Sequence, residues 1–142
     1  NLEEKVLLEQ NIEKGDFDRG GEVSSKLKDT LRRLGINPDL IRRVSIISYE
    51  LEMNIIIHSR GGKIKVKVNT EELKIKAEDK GPGIENIEKA LEPGYSTAGE
   101  EIREMGFGAG MGLNNIERFS DKLNIDSQVG EGTRVEAHVF FE

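Results

Sequence analysis

The chain has 142 residues, enough to bury the core of one domain, and with 35% hydrophobic and 34% charged residues it is a polar globular protein. A net charge of −6 and a pI near 5.1 argue against the footprint of a nucleic-acid binder, so no direct nucleic-acid partner is expected. Cysteine is absent, which removes disulfides and thiolate metal sites and fits a reducing, cytoplasmic setting.

No stretch approaches the roughly 20 apolar residues of a membrane span, so no membrane partner is expected. The opening NLEEKVLLEQ is acidic where a signal peptide is basic, and a chain starting at Asn1 is expected to continue upstream. With no internal repeat, low-complexity tract or linker, residues 1–142 read as a single domain. KVLLEQNIE predicts a first strand, closed by the turn KGD. From Asp18 to Leu34 the apolar residues Val23, Leu27, Leu31 and Leu34 recur at helical spacing, and Gly35 stops that helix. Asn37-Pro38 pairs an Asx N-cap with a proline in the first turn, and so opens another. DLIRRVSIISYELEMNIIIHS predicts one long helix closed by Gly61-Gly62, although the β-branched Ile55–Ile57 favours strand at its last turn. KIKVKVN and LKIKAED alternate apolar with charged residues and predict two half-buried strands joined by NTEE. Farther on, LNNIERFSDKL reads as a helix and NIDSQV as a strand, and GEGT turns into RVEAHVFF. These elements predict an α/β (α+β) two-layer sandwich: a mainly antiparallel mixed sheet with helices on one face.

Between Glu78 and Leu113 the chain places eight of its 16 glycines, among them Gly81, Gly83, Gly108, Gly110 and Gly112. Such density needs a turn, mobility or the close approach of a ligand. The familiar nucleotide fingerprints fail. Gly62-Lys63 is followed by Ile64, so there is no Walker loop, and no G-x-G-x-x-G follows a strand. Glu50 and Asn54 are spaced i,i+4 and share one face of the long helix, where burial without partners is costly. Glu52 falls off that face and is expected on solvated surface. His58 lies on the same stripe and reads as a packing or hydrogen-bonding residue, with no carboxylate cluster beside it. Asp79 ends a strand and leads into Gly81-Pro82-Gly83, a placement in which a carboxylate can accept from the exocyclic amine of adenine. The run from Gly106 to Gly112 opens a helix, where free N–H groups can meet phosphate.

Together these motifs resemble the ATP-binding domain of the gyrase, chaperone, histidine-kinase and MutL superfamily. ELEMNIIIH is similar to its N box, EDKGPGI to its D-x-G-x-G box, GFGAGMGL to its second glycine box and GEGT to its closing Gly-Thr turn. IKAEDKGPGIENIEKALEPGYSTAG and VGEGTRVEA resemble the small bacterial serine kinases, namely the anti-sigma factors and the switch kinase of the stressosome. The resemblance implies a Bergerat fold and a protein serine/threonine kinase that uses ATP and Mg²⁺ to regulate a partner. It implies Asn54 on Mg²⁺ and Glu50 as general base, with Asp79 on the adenine amine and Thr133 beside it through water. Gly81 and Gly83 would shape the adenine pocket. Ser96, Thr97, Gly108, Gly110 and Gly112 would serve the phosphate lid, with Arg103 directed to the γ-phosphate. The implied acceptor is a STAS-domain anti-sigma antagonist, and a sigma factor and a homodimer are allowed. The alternative is a nucleotide-gated binding module of the same fold without phosphotransfer. A histidine kinase is disfavoured, because the chain has no room for a dimerisation helix pair bearing an acceptor histidine.

Overall fold

The computed structural model describes residues 3–92 and 112–142. β1 (Lys5–Ile12) leads through a 3-10 turn at Phe17–Arg19 to α1 (Glu22–Arg33). α2 (Pro38–His58) precedes the hairpin of β2 (Gly62–Val68) and β3 (Glu72–Lys80). The short α3 (Ile87–Ala90) comes next, followed after the undescribed residues by α4 (Gly112–Phe119), β4 (Lys122–Gln128) and β5 (Gly132–Phe140). The strands form one sheet in the order β1-β2-β3-β5-β4, and each pairing among the described residues is antiparallel.

Alternation sets the two faces of this sheet. Ile64 and Val66 of β2, Leu73, Ile75 and Ala77 of β3, and Val135, Ala137 and Val139 of β5 are buried in one cluster with α1, α2 and Ile116 of α4. The opposite face carries Lys63, Lys65, Lys74, Lys76, Arg134 and Glu136, with ion pairs such as Lys65–Glu9 at 3.3 Å and Lys76–Glu78 at 2.9 Å. His138 lies on that face, 6% exposed, with Nδ1 2.9 Å from Glu72 Oε1. The expected two-layer architecture holds.

α2 begins where its sequence dictates. The Asn37 side chain accepts from the Asp39 N–H at 2.8 Å, and Pro38 occupies the first turn. The β-branched Ile55 and Ile56 stay helical because both are buried in the core, and burial outweighs their weak preference for strand. α1 starts at Glu22 rather than Asp18, because Gly21 takes a left-handed φ of +96° that ends the 3-10 turn. α4 ends at Phe119, four residues short of the expected Leu123. The Asp121 N–H is donated to the His138 carbonyl at 2.8 Å, and Asp121 Oδ2 accepts the Phe140 N–H at 2.7 Å, so the chain has already joined the sheet.

Glu52 corrects the sequence reading. It is 1% exposed rather than solvated. Its Oε1 accepts the Gly21 N–H at 3.1 Å, and the Val23 N–H faces the same carboxylate. Gly21 has no side chain to cap α1, so Glu52 of α2 supplies the acceptor from across the core. Burial pushes its carboxyl pKa above the ordinary glutamate value, and the two N–H donors oppose that shift. Glu52→Leu should therefore leave the Gly21 amide unsatisfied at the start of α1 and lower unfolding free energy by about 1–3 kcal/mol. Chemical denaturation of the two proteins measures this, and unchanged stability would mean that water replaces the carboxylate.

Candidate functional site

The site assembles at one end of the sheet, where α2, the β3 terminus and the β4–β5 turn meet. Register places Asp79 opposite Thr133 on β5 and opposite Gly62 on β2. Asp79 Oδ1 accepts the Thr133 N–H at 3.2 Å, while Oδ2 has no hydrogen-bond partner among the described residues. Burial raises the Asp79 pKa, against the opposing pull of the Thr133 N–H and the Arg60 charge. A half-buried carboxylate with one oxygen committed and the other available suits an exocyclic amine donor.

The glycines beside it have distinct jobs. A Cβ on Gly81 would come within 3.1 Å of Ser59 Cα and 3.3 Å of Asp79 Oδ1, so a side chain there would crowd the carboxylate. Gly83 has a left-handed φ of +75°, and a Cβ there would meet the Gln128 carbonyl. Its loop is closed onto the β4–β5 turn by Gly81 N–H to Glu131 O at 3.1 Å and Gly130 N–H to Pro82 O at 2.8 Å. The loop behind Asp79 is thus fixed by backbone bonds.

Ser127 joins this loop to the sheet. Its hydroxyl accepts the Ile84 N–H at 2.8 Å, lies 2.8 Å from Thr133 Oγ1 and can donate to Gly132 O at 3.2 Å. If Ser127 donates to Gly132, the Thr133 hydroxyl hydrogen must go to Ser127. Thr133 then meets a ligand or water as an acceptor. Sequence reasoning missed Ser127. The signal was present, because it takes the third place in the alternating series Leu123, Ile125, Ser127, where a core residue is due.

On the helical side, Glu50 and Asn54 face α4. Glu50 Oε2 accepts from Asn115 Nδ2 at 2.8 Å, and a Cβ on Gly112 would lie 3.0 Å from Asn54 Oδ1. The missing side chain of Gly112 therefore lets the first turn of α4 come close to the Asn54 carboxamide, which has no hydrogen bond among the described residues. Asn115 is the second residue missed from sequence. The clue was a pair of poor helix formers, Asn114-Asn115, inside a helical pattern. No group of three His, Cys, Asp or Glu side chains able to hold a metal occurs among the described residues. Ser96, Thr97, Arg103, Gly108 and Gly110 lie outside the described residues. Neither histidine belongs to the site. His58 ends α2 with its pKa lowered by burial, and His138 is on the opposite sheet face.

Comparison with known proteins shows the family of the chain. Residues 39–142 match the family described as histidine kinase-, DNA gyrase B-, and HSP90-like ATPase. The serine/threonine-protein kinase RsbT of Bacillus subtilis (strain 168) is 33% identical over 114 residues, spanning 78% of this chain and 80% of that protein. An anti-sigma F factor of Clostridium beijerinckii is 36% identical over 103 residues, 68% of each chain. Among solved structures, a chain of the SiaB-SiaC complex from Pseudomonas aeruginosa superposes with a TM-score of 0.65 at 16% identity. It covers 94% of this chain and 89% of that one, a likeness of fold. The match over residues 39–142 and the kinship with RsbT place this chain in the histidine kinase-, DNA gyrase B- and HSP90-like ATPase family, among its protein serine kinases.

Proposed function

We propose that this kinase transfers the γ-phosphoryl group of Mg·ATP to a serine or threonine of a separate regulatory protein. The observation that carries the reading is the pairing of two ends. Asp79 is held at the end of the central strand β3 with one oxygen open to a base amine, and Glu50 and Asn54 stand one helical turn apart beside the α4 N-terminus. Phosphoryl transfer needs mainly positioning, charge stabilisation and a proton acceptor. Mg·ATP supplies the phosphoryl group and the charge that neutralises it.

The residues divide the work. Asp79 Oδ2 accepts from the adenine N6 amine, a group guanine lacks, and Thr133 assists through water. Asn54 offers a carboxamide oxygen to Mg²⁺, which characteristically takes few protein ligands and keeps phosphate oxygens and waters. Glu50 takes the proton of the attacking hydroxyl as its oxygen bonds to the γ-phosphorus and ADP departs with the bridging oxygen. The phosphate lid of this reading would draw on Gly108, Gly110 and Gly112 with Ser96 and Thr97, and Arg103 would serve the γ-phosphate. The kinship with an anti-sigma F factor supports an acceptor of the anti-sigma antagonist type, built on a STAS domain. A sigma factor and a second copy of the chain are further partners of this reading, which sets the kinase in the cytoplasm.

Adenine selection gives the first test. Both Asp79 oxygens act as acceptors in this scheme, one toward the Thr133 N–H and one toward the amine. Asparagine can satisfy only one of them, whichever way its amide is turned. Asp79→Asn should weaken ATP binding by about tenfold or more, the effect of one buried donor left unpaired. Calorimetry with ATP and GTP in the presence of Mg²⁺ checks this, and equal binding of both nucleotides to the wild type would reject the pocket.

The second test is the chemistry of the label. Purified protein with γ-labelled ATP and an extract of the source cells should place acid-stable phosphate on a separate protein, at serine or threonine. Glu50→Gln keeps the shape and removes basicity, so it should still bind ATP while transfer falls by about 10²–10⁴-fold. Acid-labile label on this chain would indicate histidine phosphorylation instead. Nucleotide binding with no transfer to any protein would leave a nucleotide-gated binding module.

A further inference from the structure

We infer that Asn115 is the positioning residue of Glu50, and that α4 delivers it. The inference rests on the reading of Glu50 as the general base. The Asn115 Nδ2 to Glu50 Oε2 bond, 2.8 Å across 65 residues of sequence, is the one hydrogen bond that holds this carboxylate among the described residues. Glu50 has no ion pair there either. With Oε2 occupied, the carboxylate plane is set and Oε1 is left for the acceptor hydroxyl.

The chemistry of the partner matters. An ammonium or guanidinium at this distance would hold the carboxylate equally well but would strongly stabilise its charge, and so weaken it as a proton acceptor. A neutral amide donor orients the group without placing a charge beside it. Asparagine is also a poor helix former, and two in a row weaken a short helix. Both are used in tertiary bonds: Asn114 Nδ2 donates to Leu91 O at 3.3 Å, and Asn115 takes Glu50.

Helix docking fixes the position of the donor. At one end Gly112 lies against Asn54. At the other, Arg43 of α2 donates from Nε and Nη2 to the Phe119 carbonyl at 3.1 and 2.9 Å, and its Nη2 lies 3.2 Å from Asp121 Oδ2. α4 is therefore held antiparallel along α2 at both ends, with Asn115 between them at the level of Glu50. The base is oriented only while α4 is seated.

The test uses the full chain, Mg·ATP and the acceptor protein identified by labelling, and reads kcat and ATP affinity separately. Asn115→Leu should lower kcat by about 10–100-fold, the loss expected from a misplaced catalytic group. ATP affinity should stay within about twofold of wild type, because the contact serves the transition state rather than nucleotide binding. Asn115→Asp keeps shape and volume but sets a second carboxylate against Glu50, so it should lose at least as much. A residue that only packs would keep its kcat in that variant. In a Glu50→Gln background neither substitution should reduce the residual rate further, since groups acting as a unit are not additive. A wild-type kcat in Asn115→Asp, or an equal loss in both backgrounds, overturns the inference and leaves Glu50 as base. Full transfer by Glu50→Gln, or no transfer by the wild type, removes the base and this inference with it. A measurement without turnover checks the contact directly. In isotope-labelled protein the Asn115 side-chain amide signals should move on Glu50→Gln and stay in place on Glu117→Gln, and an amide blind to Glu50 overturns the contact.

Discussion

A helix that is apolar nearly all round must be buried nearly all round, and α2 imposes that constraint on the rest of the molecule. Ile41, Val44, Ile47, Leu51, Met53, Ile55 and Ile56 project from more than one side of it and are all buried. One sheet face cannot cover such a helix, so α1 and α4 pack along its flanks and the sheet closes the remaining side. Every polar group on α2 then needs an account. Ser45 and Ser48 bond back to carbonyls of their own helix, and Glu52 caps α1. Arg42 pairs with Asp39 and Arg43 binds the Phe119 carbonyl, while Glu50 and Asn54 turn toward the first turns of α4.

This explains which parts of the molecule were legible in its sequence. Local rules located the start of α2 at Asn37-Pro38, the hairpin through NTEE and the two faces of the strands, because each depends on residues close in the chain. They failed where the partner is remote. Glu52 looked solvated since its acceptor role serves the backbone N–H of Gly21, and a backbone amide leaves no mark in a sequence. α4 ran too long because the bonds that end it belong to Asp121 and β5. Glu50, Asn54, Asp79 and the Gly81–Gly83 loop were legible as motif positions; the structure sets the first two against α4 and the others at the β3 terminus. Asn115 and Ser127 were not, since each acts through a residue the local pattern cannot name.

The outer face of the sheet contrasts with the site. Its ion pairs are at least partly exposed, and such pairs add little stability once screening and side-chain entropy are counted. His138 is the exception, buried on that face with Glu72 and Glu136 at its two ring nitrogens, 2.9 and 2.8 Å away. That imidazole is enclosed by carboxylates and separated by the sheet from Glu50 and Asn54. A histidine so placed can fix the β3–β5 pairing but cannot exchange phosphate with the helical side. The sheet thus separates a structural histidine from phosphoryl chemistry.

The two ends of the site are built by different means. The adenine end consists of strand register and loop bonds: Asp79 against Thr133, Gly81 on Glu131, Ser127 on Ile84 and Thr133. None of these contacts involves α4. The base end is the reverse. Glu50 is oriented by a side chain of α4, and α4 begins at the glycine that meets Asn54. On the proposed reading the orientation of the base therefore depends on the docking of one eight-residue helix on α2, while the contacts around Asp79 do not.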